Sequence, residues 1–144
     1  MSDPITILVR GIPKGQPRPR AFAFHGRARV YDPGTAEAWK SEIALAARPY
    51  VPREPIAGPV SLVVCLWFPR PKSHYLRGAI RASAPAMYVS KPDVDNAVKA
   101  VMDALTAIGM WRDDAQVCSL CVSKMYTAGD AKPGAMITIQ DRSV

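Results

Sequence analysis

The 144 residues and 15.7 kDa of this chain fit one domain spanning 1–144, since domains usually run to roughly 100–200 residues. Apolar residues make up 49% and charged residues 22%, which excludes the weakly hydrophobic class of disordered chains. A formal charge of +7 and a pI near 9.6 suit a polyanionic partner, nucleic acid before membrane, or else a solvated basic surface.

The start MSDPITILVRG does not read as a secretory signal. The longest apolar run, Leu62 to Phe68, is far short of the ~20 residues of a membrane helix, so a cytoplasmic protein without membrane contact is expected. Three cysteines, Cys65, Cys118 and Cys121, argue against a disulfide framework. Cys118 and Cys121 match C-x-x-C, yet a zinc site needs a second ligand pair that the chain does not offer.

Ile5 to Val9 is β-branched and ends at Gly11 and Pro13, which predicts a first strand. Pro13 to Arg20 holds three prolines and three cations in eight residues, so it is read as a loop. After the turn signal Asp32-Pro33-Gly34, Thr35 can cap a helix through Ala47, with Trp39, Ile43 and Ala46 or Ala47 on one face. Val60 to Phe68 has apolar residues on both faces and predicts a central strand ended by Pro69. Arg70 to Val89 shows no period and is read as a long basic loop. From Asp93 the residues Val94, Val98, Val101 or Met102, and Leu105 recur at helical spacing, and Gly109 supplies a left-handed stop. Val117 to Met125 and Ala135 to Gln140 predict two more strands around the turn-rich 127–134. The order β, α, β, α, β, β implies an α+β domain with one mixed sheet and two main helices.

The basic excess and the acids occupy different parts of the chain. Residues 1–30 carry six Lys/Arg against one acid, whereas residues 91–144 carry six against seven. Arg18, Arg20, Arg27 and Arg29 are candidates for phosphate contacts, with Arg70, Lys72 and Lys91 as a second set. Asp93 and Asp95 open the predicted helix, and Asp113 and Asp114 follow its end. A helix of ~15 residues separates its ends by ~20 Å, so the two pairs meet only if the chain after Gly109 folds back alongside it. Converging carboxylates need a multivalent cation, and oxygen donors select Mg²⁺ or Mn²⁺, which take the rest of their shell from water and phosphate. Carboxylates within a basic protein therefore suggest metal-assisted phosphodiester cleavage.

Two readings of Lys99 stay open: ordinary ion pairs with Asp95 and Asp103, each four residues away, or a fixed cation beside a metal. For Asp93 and Asp95 the plain alternative is helix capping. Trp111 is read as core. His25 and His74 lack a positioned partner for nucleophilic catalysis, and no glycine-rich nucleotide loop is present.

The run Lys91-Pro92-Asp93-Val94-Asp95-Asn96-Ala97-Val98-Lys99, then Asp103-Ala104-Leu105, then Gly109-Met110-Trp111-Arg112-Asp113-Asp114-Ala115-Gln116-Val117, resembles the RusA family of Holliday junction resolvases. Gln16-Pro17-Arg18-Pro19-Arg20 is similar to the opening of phage-type members. The resemblance implies a homodimeric, Mg²⁺-dependent endonuclease of DNA recombination and repair that cuts four-way junctions in paired symmetric nicks. It puts the metal on Asp93, Asp95 and Asp114, the catalytic lysine on Lys99, and supporting roles on Asp113 and Asn96. A two-fold dimer suits the junction, because paired cuts require two sites. The alternatives are a branched-DNA-binding protein without catalysis and a metal-dependent nucleotide phosphohydrolase.

Overall fold

The computed structural model describes residues 2–17, 20–24, 26–31 and 36–144. Four strands form the main sheet: β1 (Ile5–Arg10), β4 (Val60–Phe68), β7 (Val117–Tyr126) and β8 (Gly134–Asp141). Their order is β1-β8-β4-β7, with β4 and β7 parallel and the other pairs antiparallel, so the sheet is mixed as the element order implied. Two helices, α1 (Glu37–Ala47) and α2 (Val94–Ala107), complete the α+β fold.

The alternation along each strand decides which face meets the helices. Ile7 and Val9 of β1, Val60, Leu62, Val64, Leu66 and Phe68 of β4, and Ile137 and Ile139 of β8 are buried in one cluster. Trp39, Ile43 and Ala47 of α1 and Val98, Val101 and Leu105 of α2 close that cluster from above. The helical spacing expected for both helices is what makes those faces apolar. β4 is central, as predicted, but the helices cover only one of its two apolar faces: Val63, on the other, is 40% exposed.

Gly109 ends α2 at φ +83°, a conformation that favours glycine. The chain then turns through a 3₁₀ turn, Asp114–Gln116, into β7. Along β7 the register slips between Val60–Val117 and Ser61–Ser119, leaving Cys118 as the extra residue.

Two antiparallel ribbons are absent from the sequence reading. The first pairs β2 (Arg20–Phe24) with β3 (Arg27–Tyr31). The second, β5 (Tyr75–Leu76) with β6 (Ala79–Ile80), follows a 3₁₀ turn at Lys72–His74. Arg70–Val89 is therefore corrected from a long loop to a folded excursion. Its anchor is the Arg70 guanidinium, which donates to the carbonyls of Thr127 (2.7 Å) and Pro85 (2.7 Å). The expected turn at Asp32-Pro33-Gly34, the Thr35 cap, Arg18 and His25 lie outside the described residues. No helix among the described residues is long and apolar enough to cross a membrane.

Candidate active site

The start of α2 is held by three segments at once. Residues 13–17 lie against it: the Gln16 amide donates to the Asn96 carbonyl (2.9 Å), and a Cβ on Gly15 would come within 2.7 Å of the Pro92 Cβ. From the sheet, Lys124 Nζ donates to the carbonyls of Ser90 (2.9 Å) and Pro92 (2.7 Å), fixing the backbone that leads into the helix. From the excursion, the Tyr88 hydroxyl donates to the Lys91 carbonyl (2.7 Å). These contacts enclose a cleft of about 340 Å³ lined among others by Lys14, Gln16, Tyr88, Lys91, Asp93 and Asn96.

Aromatic rings pack together beneath the cleft. Tyr88 stacks on Phe68 with centroids 3.9 Å apart and meets Tyr126 edge-on at 5.1 Å. Arg70 lies 5.2 Å from the Tyr126 ring centre and Lys124 5.4 Å from that of Tyr88. Burial, with the neighbouring Tyr126, pushes the Tyr88 hydroxyl above its ordinary pKa, so it stays protonated as a donor.

At the rim, Asp93 occupies the N-cap position of α2 without making a side-chain cap hydrogen bond. Its carboxylate instead receives Lys91 Nζ at 2.8 and 2.9 Å. Asp95 lies in the first turn. Lys99 follows one turn later, its ammonium 3.4 Å from Asp103, whose other oxygen lies 4.0 Å from Lys40 of α1. Asp103 thus ties the two helices together.

Asp113 and Asp114 sit at the opposite end of α2. Asp113 caps the 3₁₀ turn, its side chain accepting from the Ala115 amide (2.8 Å) while Gln116 Oε1 accepts from the Asp113 amide (2.9 Å). Gln116 also donates to the carbonyls of Ile56 and Gly58 and so anchors the turn beside β4. Asp114 accepts from the Thr106 hydroxyl, which in turn accepts from the buried Trp111 indole N–H (2.7 Å). Thr106 and Gln116 were missed from sequence, although both stand in or beside the quoted motif. Thr106→Val orphans the indole N–H and one Asp114 acceptor; a loss of about 1–3 kcal/mol in denaturant unfolding is expected.

Thr106 lies eleven residues after Asp95, about 16 Å along the helix axis. Among the described residues no three His, Cys, Asp or Glu side chains form a group that could hold a metal ion. One chain therefore keeps Asp114 apart from Asp93 and Asp95, and the three do not fit a common metal within it. Of the basic candidates, Arg20, Arg27 and Arg29 fall on the β2–β3 ribbon, Lys72 is exposed in its 3₁₀ turn, and Lys91 borders the cleft. The Arg70 guanidinium is engaged by carbonyls.

A family model, Endodeoxyribonuclease RusA, matches residues 10–140. The chain belongs to the RusA family. It is also 37% identical over 134 residues to the uncharacterized protein YqaN of Bacillus subtilis (strain 168), covering 87% of this chain and 89% of that protein. RusA membership makes the chain a crossover junction endodeoxyribonuclease, a Holliday junction resolvase that acts on branched DNA, and nucleases of this kind generally use a divalent metal.

Proposed function

We propose that this RusA-family chain resolves four-way junctions in the cytoplasm as a Mg²⁺-dependent homodimer, nicking two opposed strands symmetrically. The observation that carries the reading is the pair Asp93 and Asp95 on the opening of α2, the first of them lining a cleft edged by Lys14 and Lys91. Hard oxygen donors beside cations suit a divalent ion together with a phosphate. Mg²⁺ is the cation of this reading, with Mn²⁺ as a substitute, and Asp114 is the third ligand. Lys99 directs positive charge at the scissile phosphate. Its exposed pair with Asp103 is worth only a few tenths of a kcal/mol, small enough to exchange for a phosphate oxygen. Asn96 and Asp113 support the surrounding backbone.

Arg18, Arg20, Arg27, Arg29, Lys72 and Lys91 contact phosphates in this reading, with Arg70 holding the excursion that presents Lys72. Phosphate contacts are sequence-independent and release counterions, so Arg18→Ala is expected to lower the slope of log affinity against log salt by about one, measured by fluorescence anisotropy on a labelled junction. An unchanged slope would remove Arg18 from the interface.

The test is incubation of the protein with a synthetic junction, with Mg²⁺ or with EDTA, and separately with nucleoside triphosphates alone. Junction nicking that needs Mg²⁺ is expected. Tight junction binding without any cutting would replace this reading with a binding protein, and hydrolysis of free nucleotides would replace it with a phosphohydrolase.

A further inference from the structure

Beyond walling the cleft, the excursion 70–89 carries a charge of its own. Residues 69–92 hold five Lys/Arg and no acid. Arg70 is engaged by carbonyls and Lys91 by Asp93. Arg77 stands exposed at the tip of the β5–β6 hairpin, and among the described residues no hydrogen bond or ion pair holds its guanidinium.

The backbone at that tip is unusual. β5 and β6 pair Tyr75 with Ile80 and Leu76 with Ala79, which leaves Arg77-Gly78 as a two-residue turn. Both turn residues have positive φ, +51° and +80°. Such a turn favours Asn-Gly, because asparagine and glycine tolerate the left-handed region and longer side chains are disfavoured there. Gly78 meets that demand and Arg77 does not: among the described residues it is the one non-glycine residue with positive φ. An arginine placed where the turn favours asparagine points to a use for its side chain.

The turn is carried on a braced stem. The Arg81 amide donates to the His74 carbonyl (2.8 Å), Arg81 Nε donates to the Ser73 carbonyl (3.1 Å), and the His74 ring meets Tyr126 edge-on at 4.7 Å. Tyr126 in turn contacts Tyr88, which lines the cleft together with Asp93. The tip is thereby tied to the wall of the cleft, and a cation presented on an ordered stem avoids the ordering cost of a free loop on binding.

A phosphate contact needs only charge, and the tip offers more. Leu76, next to Arg77, is 53% exposed, and a Cβ added at Gly78 would meet nothing within 4 Å, so the tip is slim. Strands of two residues are too short to lie along a major groove. The minor groove, about 6 Å wide, admits single side chains, attracts arginine where it is narrow, and accepts an apolar wedge beside it.

We propose that Arg77 enters the minor groove of the duplex arm flanking the cleft, with Leu76 against the groove, so that the β5–β6 hairpin holds the DNA at the cleft that Asp93 lines. The inference rests on the reading of this chain as a junction-binding nuclease.

Arg77→Asn separates what the turn favours from what the DNA requires. The variant is expected to unfold in urea at the wild-type midpoint or above it, because asparagine suits the turn. It is expected to bind a labelled four-way junction in EDTA about tenfold more weakly by fluorescence anisotropy, in the lower part of the range for losing one well-placed arginine contact. Wild-type affinity in Arg77→Asn overturns the proposal. A lowered midpoint accompanying the loss of affinity makes Arg77 a structural residue and overturns it equally. The groove is identified by junctions whose arms carry inosine in place of guanine, which removes the N2 amine from the minor groove and leaves the major-groove edge unchanged. Wild-type protein is expected to bind these junctions several-fold more tightly, and Arg77→Asn to bind both kinds alike. A wild-type protein that does not distinguish them overturns the groove assignment. If the wild-type protein binds no junction at all, the junction-binding reading itself falls, and the proposal with it.

Discussion

Asp93→Asn and Asp95→Asn are each expected to lower the single-turnover rate of junction nicking at least about a hundredfold, the scale on which removing one group that stabilises developing charge acts. Binding should survive. The substitution removes negative charge from a rim that Lys14 and Lys91 make attractive to phosphate, so junction affinity in EDTA is expected to be equal or higher. Loss of cutting with retained binding separates a chemical role from a structural one. Circular dichroism checks folding, since Asp93 makes no side-chain cap hydrogen bond and α2 does not depend on it for that purpose. A variant that cuts at the normal rate would remove that aspartate from the site.

Trp111→Ala is expected to be the most destabilising single change near the site, at about 3–5 kcal/mol. The side chain is 1% exposed and packs in the cluster that joins α2 to the sheet, and residue 111 also bridges to Ile56. Domains of this size hold about 5–15 kcal/mol in total, so the variant loses a large share of its stability. Trp111→Phe keeps most of the volume and loses the indole donor to Thr106, for which about 1 kcal/mol is expected. Urea unfolding of both variants separates the two contributions; equal midpoints would mean that the hydrogen bond, and not the packing, carries the effect.

The elements legible in sequence are those with a long apolar period. β4 has nine residues of alternating burial, and α2 repeats at three and four before a glycine that only a left-handed turn explains. The two ribbons were illegible for the opposite reason. β5 and β6 are two residues each, and the excursion that carries them is anchored by Arg70, which collects carbonyls from segments 15 and 57 residues away. No local pattern encodes such a contact. At the site, the D-x-D and D-D pairs announced a carboxylate set, but their order along the chain does not say which way the backbone leaves Gly109. It turns into β7, which runs back toward the start of α2, so that Lys124 and not Asp114 arrives beside Asp93. Asp113 was legible only as one more acid, and its capping bond to Ala115 appears once the 3₁₀ turn is built.

The most direct measurement labels each of the four strands of a synthetic junction in turn and maps every nick on a denaturing gel, beside a linear duplex of the same sequence. Equivalent nicks in two opposed strands of the junction, present with Mg²⁺ and absent with EDTA and on the duplex, are the predicted result. Nicks scattered over all four strands, or equal cutting of the duplex, would contradict a symmetric resolvase built from Asp93, Asp95, Lys99 and Asp114.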